Sequence, residues 1–389
     1  MAPTKMQRSL DAIFDQLEIN VDLNQPIAAQ LADQLTWFIA SGQIMPGERL
    51  MAVQDLASRL HISLHTVLAA YRILEQARLV SIRPGRGSVV LDFHPTSFIH
   101  NLPDLPTHTV GFIAPDLSGP FYRAIYRGLQ EVATQNHFLL VSCGTCENPR
   151  IAREQLNMLI AKHVDGLIVV SDYLTDSADT QPSPLGDLSN CPVPLAFIDR
   201  PDEKGVSIVF NAEVVGYLAT EHLIQHGHPK VGLIVNDRRF PTYRDCYQGY
   251  LRALQQYSLP VDISQIVEVN SFSFDAGYRA IATLLAQSAA PPTALFIAED
   301  TLAIGAIRAL KDNNLRVPQD IAIVGMNSFD ESAFSDPRIT SVDTSAYFMG
   351  AQAMELIIRM IGGDQIEPKQ VSASTRLIIR GSCGCQVPL

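Results

Sequence analysis

Apolar residues at Ile27, Leu31, Leu35, Phe38 and Ile39 recur at the three- and four-residue spacing that places them on one face of a helix. The pattern stops at Ser41 and Gly42, where glycine can take a left-handed cap. A turn at Met45-Pro46-Gly47 leads to a second short helix over 53–60. A third opens at Ser63, a good N-cap, with Val67, Ala70, Tyr71 and Leu74 along its inner face. Two helices joined by so short a turn predict a helix-turn-helix, whose second helix presents its first turn to a DNA major groove. Residues 79–82 and 88–91, joined across Arg83-Pro84-Gly85-Arg86-Gly87, predict a hairpin wing. Ahead of all this, Leu10, Ile13, Phe14 and Leu17 stand at helical spacing, predicting a short amphipathic helix within an N-terminal extension, 1–19.

Beyond His108 the pattern changes. Continuous apolar runs at 110–113, 139–141, 166–170, 195–198, 231–235, 295–297 and 321–324 alternate with amphipathic helical segments. Such alternation predicts parallel sheets covered on both faces, with ligands gathered at the carboxyl ends of the strands. The residues just past those ends are the informative ones: Asp116, Asp172, Asp199 with Arg200, Asn236, Glu299 with Asp300, and Asn327. The Pro-, Asn- and Asp-containing stretch from Phe93 reads as a linker. The expected organisation is an extension (1–19), a DNA-binding domain (20–92), a linker (93–107) and an effector domain (108–389).

Composition narrows the classes. With 389 residues, 47 % of them hydrophobic and 18 % charged, the chain is globular and too long for one small domain. No apolar run approaches the roughly 18–20 residues that cross a bilayer, and the first residues lack an apolar core with a small-residue cleavage site, so a cytoplasmic chain is expected. The six cysteines are sparse, as reduced thiols are. Cys143-x-x-Cys146 has no second pair at ligand spacing, and Cys383-x-Cys385 lies near the end, so no metal and no cofactor are expected. The net charge is −11, and residues 20–92 hold six arginines, no lysine and six acids. Phosphate neutralisation supplies most sequence-independent DNA affinity, so that affinity should be low.

The segments IASGQIMPGERL, VQDLASRLHIS, HTVLAAYRILEQARLV and GRGSVV occur in the order found in the GntR family of bacterial regulators, and residues 20–92 resemble its winged helix. The resemblance carries over Ser63, His65 and Thr66 at the start of the recognition helix, and Arg86 with Gly87 at the wing tip, as DNA-binding positions. Gln54, Leu64 and Leu68 stand where the family commonly has DNA-contacting arginines. Base reading should therefore fall chiefly on His65, Thr66 and the wing.

A second resemblance covers about 275 residues. DLSGPFYRAIYRGLQ, HVDGLIVV, FIDRP, TEHLIQHGHPKVGLI, RDCYQGYLRAL, SDPRITSVD and RLIIRGSCG look like the LacI/GalR effector domain. It implies a periplasmic-binding-protein-like type I α/β fold of two Rossmann-like subdomains joined by three crossovers, one holding about 108–209 with 343–374. The whole is then multidomain, with an N-terminal winged helix-turn-helix (α+β). The pairing resembles the arabinose-responsive AraR repressors. By resemblance, the ligand-binding positions are Phe121, Tyr122, Asp199, Arg200, Arg244, Phe272, Asp300 and Asn327, with Cys246 and Glu299 departing from residues common there. Aromatic faces would stack on the C–H faces of a sugar while carboxylates, amides and arginines bond its hydroxyls. The expected protein is a ligand-responsive transcriptional repressor that binds double-stranded operator DNA as a homodimer and is controlled by a small sugar or sugar derivative. A solute-binding protein and an enzyme fused to the winged helix are the rivals. The first is opposed by the winged helix, the second by the absence of a nucleophile elbow, a P-loop or a lysine in a phosphate-cradling context.

Overall fold

A computed structural model describes residues 10–20, 26–40, 43–83, 87–91, 106–146, 148–170, 191–199, 206–287 and 290–385. Ser41, Gly42, Arg86, Asp172, Arg200 and most of the linker lie outside the described residues. The chain divides into two compact units, the first comprising residues up to Thr109 together with Ile358–Gln365.

The N-terminal unit contains α1 (Leu10–Phe14), α2 (Ile27–Ala40), α3 (Val53–Leu60), α4 (Leu64–Gln76) and the antiparallel pair β1 (Val80–Arg83) and β2 (Gly87–Val90). The helical stripes read from sequence become one core, in which Leu31, Leu35, Leu56, Val67, Tyr71 and Leu74 are buried. Tyr71 has a partner for its hydroxyl, which donates to the Met51 carbonyl oxygen at 2.7 Å. The short amphipathic helix expected in the N-terminal extension packs into this core. Ile13, Phe14 and Leu17 are buried in it, and Arg59 of α3 pairs with Asp11 and Asp15. Gln30 and Gln34 of α2 bond the backbone of Asn20 and Glu18.

The second unit holds two six-stranded sheets. In the first the order is β4 (Leu139–Gly144), β3 (Thr109–Ala114), β5 (Gly166–Val170), β6 (Leu195–Ile198), β7 (Val206–Val209) and β13 (Gln370–Ser372). In the second it is β9 (Ile266–Val269), β8 (Val231–Asn236), β10 (Ala294–Ile297), β11 (Ala322–Met326), β12 (Thr340–Asp343) and β14 (Arg376–Ile378), with β14 antiparallel to β12. The chain passes between the sheets after β7, after β12 and after β13, which yields two lobes and three crossovers.

The helices between strands are α5 (Pro120–Gln135), α6 (Pro149–Ala161), α7 (Ala212–Gln225), α8 (Pro241–Gln256), α9 (Phe274–Gln287), α10 (Asp300–Asp312), the short α11 (Asp330–Phe334) and α12 (Ala346–Ile361). Some pairs meet backbone to backbone through glycine. A Cβ on Gly216 of α7 would lie 2.0 Å from the Cys246 carbonyl oxygen of α8, and one on Gly249 of α8 would lie 2.0 Å from that of Glu213. Gly277 and Gly305 join α9 to α10 in the same reciprocal way. These seams fix where α8 and α9 begin, and both begin at the cleft between the lobes.

Candidate functional site

In the N-terminal unit, the turn between α3 and α4 is shaped by His61, in the left-handed region at φ 54°, and by Ser63 in extended conformation. The Ser63 hydroxyl accepts from the Thr66 backbone N–H at 3.0 Å and lies 2.7 Å from the Thr66 hydroxyl. These two expected DNA contacts therefore also cap α4, so their first role is to hold the helix end in shape. His65, between them, is exposed, and Leu64 is 49 % exposed on the same first turn. Leu68 is half-buried. Gly87 is exposed at φ +78°, a conformation natural to glycine, where β2 leaves the wing turn. The start of α4 thus presents His65 and Leu64 without a charged side chain between Ser63 and Ala70.

In the second unit a cavity of about 540 Å³ lies between the two lobes. Its walls are the residues that follow strands β3, β6, β7, β8, β9, β10 and β11, the carboxyl ends where parallel sheets gather ligands. From the first lobe come Asp116, Phe121, Tyr122, Asp199 and Phe210. From the second come Phe240, Thr242 and Tyr243 at the start of α8, residues 270–274 entering α9, and Glu299, Thr301, Met326 and Asn327. The rings pack in two groups. Phe121 meets Tyr122 edge-on at 5.5 Å and Phe210 at 6.4 Å, and across the cavity Tyr243 lies 5.6 Å from Phe272.

Glu299 and Asn327 form the polar floor. Asn327, at φ 92°, donates through Nδ2 to Glu299 Oε2 at 2.6 Å and accepts from the Thr344 hydroxyl at 2.9 Å. Burial, reinforced by the neighbouring Asp300, pushes the Glu299 carboxyl well above the usual carboxylate range. Asp116, Asp199 and Glu299 supply carboxyl groups to the wall, and no lysine, arginine or histidine stands among its described residues. The described wall thus offers aromatic faces and hydrogen-bond acceptors.

Of the expected ligand positions, Phe121, Tyr122, Asp199, Phe272 and Asn327 line this cavity. Two of the expected ligand positions lie outside this lining. Asp300 is fully buried outside the lining: its Oδ2 accepts from the Phe329 N–H at 3.1 Å and the Ser332 hydroxyl at 2.5 Å, and its Oδ1 from the Ser341 hydroxyl at 2.8 Å. With these donors used internally, Asp300 ties β10 to the segment after β11 and to β12. Arg244, one residue past Tyr243 on α8, turns away from the lining and pairs with Asp245 at 3.4 Å, its side chain more than half exposed. Phe210, Phe240, Tyr243 and Asn270 are cavity residues that sequence reasoning missed. They follow β7, β8 and β9, and only β8 had an apolar run strong enough to mark its end.

At the rim, Arg123 of α5 pairs with Glu331 of α11, and Arg127 lies 3.8 Å from Asp330, so the two lobes are also joined by ion pairs. Among the described residues no helix is long and apolar enough to cross a membrane.

Comparison with known proteins agrees with both units. Residues 27–90 match the family of bacterial regulatory proteins of gntR type, and residues 220–383 match a periplasmic binding protein-like domain. The HTH-type transcriptional repressor PurR of Pasteurella multocida is 29 % identical over 340 residues, 86 % of this chain and 98 % of that protein. Its counterpart in Haemophilus influenzae strain PittEE is 31 % identical over 297 residues, 75 % of this chain and 86 % of that protein. Among solved structures, a LacI family transcriptional regulator from Enterococcus faecium with bound ribose superposes with a TM-score of 0.61 at 24 % identity, covering 70 % of this chain and 98 % of that one.

Proposed function

We infer the function from one premise: the chain belongs to the family of PurR- and LacI-type transcriptional repressors, with a GntR-type helix-turn-helix at its DNA-binding end. It is a transcriptional repressor with an effector-binding domain. The finer reading is that the effector is a small neutral sugar or sugar derivative held between the lobes, stacked on Phe121 or Phe272 and bonded by Asp116, Asp199, Glu299 and Asn327. One observation carries this reading: a cavity lined by aromatic rings, hydroxyls, amides and carboxyl groups, with no cation among its described residues. Such a wall suits a polyol and repels phosphates. The pocket binds and does not catalyse.

Ligand binding closes the lobes and thereby changes how two winged helices of a homodimer meet a two-fold operator, since one winged helix offers too little surface for a specific site. A ligand shifts that equilibrium only by its differential affinity, typically about 1–3 kcal/mol, so operator affinity should change roughly 5–150-fold and ligand affinity reciprocally. The site of action is the cytoplasm, where the operator is.

A thermal-shift screen tests the effector, because binding raises the melting temperature by mass action. Neutral monosaccharides should stabilise the effector unit, sugar phosphates should not, and a hit should alter operator affinity within that range. Stabilisation by sugar phosphates or free nucleobases alone would overturn the sugar reading.

A further inference from the structure

We propose that His222, His226 and Cys385 form a binding site for a thiophilic divalent transition metal, zinc above all, with three protein ligands and one open position. His222 stands in the last turn of α7 and His226 is the residue that caps it, so a four-residue spacing puts both imidazoles on one side of the helix. The segment after β14 brings Cys385 to them. One potential ligand atom from each residue lies within 4.8 Å of the other two. Cys385 Sγ is 3.4 Å from His222 Nε2. A tetrahedral zinc with bonds of about 2.3 Å to sulfur and about 2.0–2.1 Å to nitrogen holds the two atoms roughly 3.5 Å apart, so this pair already has the separation that coordination requires.

The surroundings fit the same role. His226 Nδ1 lies 2.7 Å from the His222 carbonyl oxygen, and a proton placed there donates to that carbonyl and leaves Nε2 with its lone pair. That is the outer hydrogen bond by which metal-binding imidazoles are oriented. The rings are 4.2 Å apart between centroids. His222 is buried, Cys385 half-buried and His226 exposed, so the site is walled by protein on one side and open to a water ligand on the other. Two imidazoles and a thiolate select zinc over magnesium or calcium, which require oxygen ligands. As the metal–sulfur bond forms, the thiol proton leaves to solvent, and nothing is oxidised or reduced.

The site is separate from the cleft. Phe210 of the cavity precedes the start of α7, and the histidines stand at its other end, about 20 Å away for a helix of this length. A bound metal would pin the C-terminal segment to α7, the helix that meets α8 through Gly216 and Gly249. The expectation of no metal rested on finding no second cysteine or histidine pair at ligand spacing. What it missed was the helical pair His222 and His226, to which the fold delivers a cysteine from 159 residues along the chain.

The test uses the reduced full chain, stripped by chelator and titrated with cobalt(II) as an optical probe and with zinc(II) against a competing chromophoric chelator. One cobalt per chain should bind with tetrahedral visible bands and a near-ultraviolet thiolate charge-transfer band, both abolished by zinc. Cys385→Ser should remove the charge-transfer band. Cys385→Ser and His226→Gln should each weaken zinc binding by at least about 10–100-fold, the loss that even outer hydrogen-bond partners cause. Both residues lie at or near the surface, and unchanged circular dichroism of the metal-free variants checks that they fold. Cys143→Ser with Cys146→Ser should change nothing. No zinc binding at micromolar concentrations, a charge-transfer band that survives Cys385→Ser, or one lost in the Cys143/Cys146 variant would each overturn the proposal. None of these readouts involves sugar or operator.

Discussion

The DNA-reading end and the effector cleft place their polar residues under opposite constraints. Ser63, His65 and Thr66 fall within four residues, and the side chain between the two capping partners is exposed. The cleft gathers residues from Asp116 to Asn327, over seven strand ends, and buries one of its carboxyl groups, Glu299, beside the enclosed Asp300. The difference teaches where a substitution should register. At the exposed His65, the side chain can change with little consequence for folding, so the effect appears in DNA affinity. On the cleft floor each polar atom already has protein partners, so the first effect is on stability, and ligand affinity changes through it.

The largest expected effect tests the buried side of that contrast. Asp300→Ala should destabilise the second unit by about 3–5 kcal/mol, because the Phe329 N–H and the Ser332 and Ser341 hydroxyls would lose their acceptor and each buried orphan costs about 1–3 kcal/mol. Calorimetry should show its transition lowered and that of the winged helix unchanged. A variant of full stability that had lost only effector binding would restore Asp300 to the ligand site and break the comparison.

A pH series sharpens it. Burial raises the Asp300 carboxyl from the ordinary 3.8 to about 6, against the pull of its hydrogen-bond donors, so the folded chain takes up this proton more readily than the unfolded one. The resulting stability is fully present below about pH 4 and is lost as the pH rises to about 6, a change of roughly 3 kcal/mol at 1.36 kcal/mol per unit. Asp300→Asn cannot titrate. The stability difference between wild type and this variant should therefore move in the variant's favour by about that amount between pH 4 and 6, as measured by urea unfolding.

On the exposed side, His65→Ala should weaken operator binding by about 1–3 kcal/mol, the worth of a good base contact, and random-sequence binding much less. Equal loss on both DNAs in a binding titration would make His65 a backbone contact. Smallest is Ser63→Ala, expected to lower winged-helix stability by about 1 kcal/mol through loss of the cap to Thr66, a loss that thermal unfolding would read.

Much of the architecture was legible in sequence because it is written in local periods. The stripe Leu31, Leu35, Phe38 and the strand run Gly166–Val170 each declare their own element. The cap at Ser63 was legible for the same reason. The ends of β7 and β9 were not, since Val206–Val209 is only four residues long and Ile266–Val269 interrupts its apolar run with Glu268, so Phe210 and Asn270 had no marked strand before them. The roles of Glu299 and Asp300 could not be separated in sequence either. They are neighbours, and only the positions of Ser332 and Ser341 decide that one carboxyl faces the cavity floor while the other is enclosed.

The ion pairs at the cleft rim, Arg123 with Glu331 and Arg127 with Asp330, bear on time and not on specificity. They are exposed and worth about 0–1 kcal/mol each, and added salt weakens them as the Debye length falls from near 8 Å at physiological salt, longer than these contacts, to about 3 Å at 1 M. The contacts inside the cavity are shielded far less. Raising the ionic strength therefore shortens the dwell of the two lobes against each other while the chemistry that selects the occupant stays the same. The rim makes the hold of one lobe on the other depend on the saltiness of the surroundings.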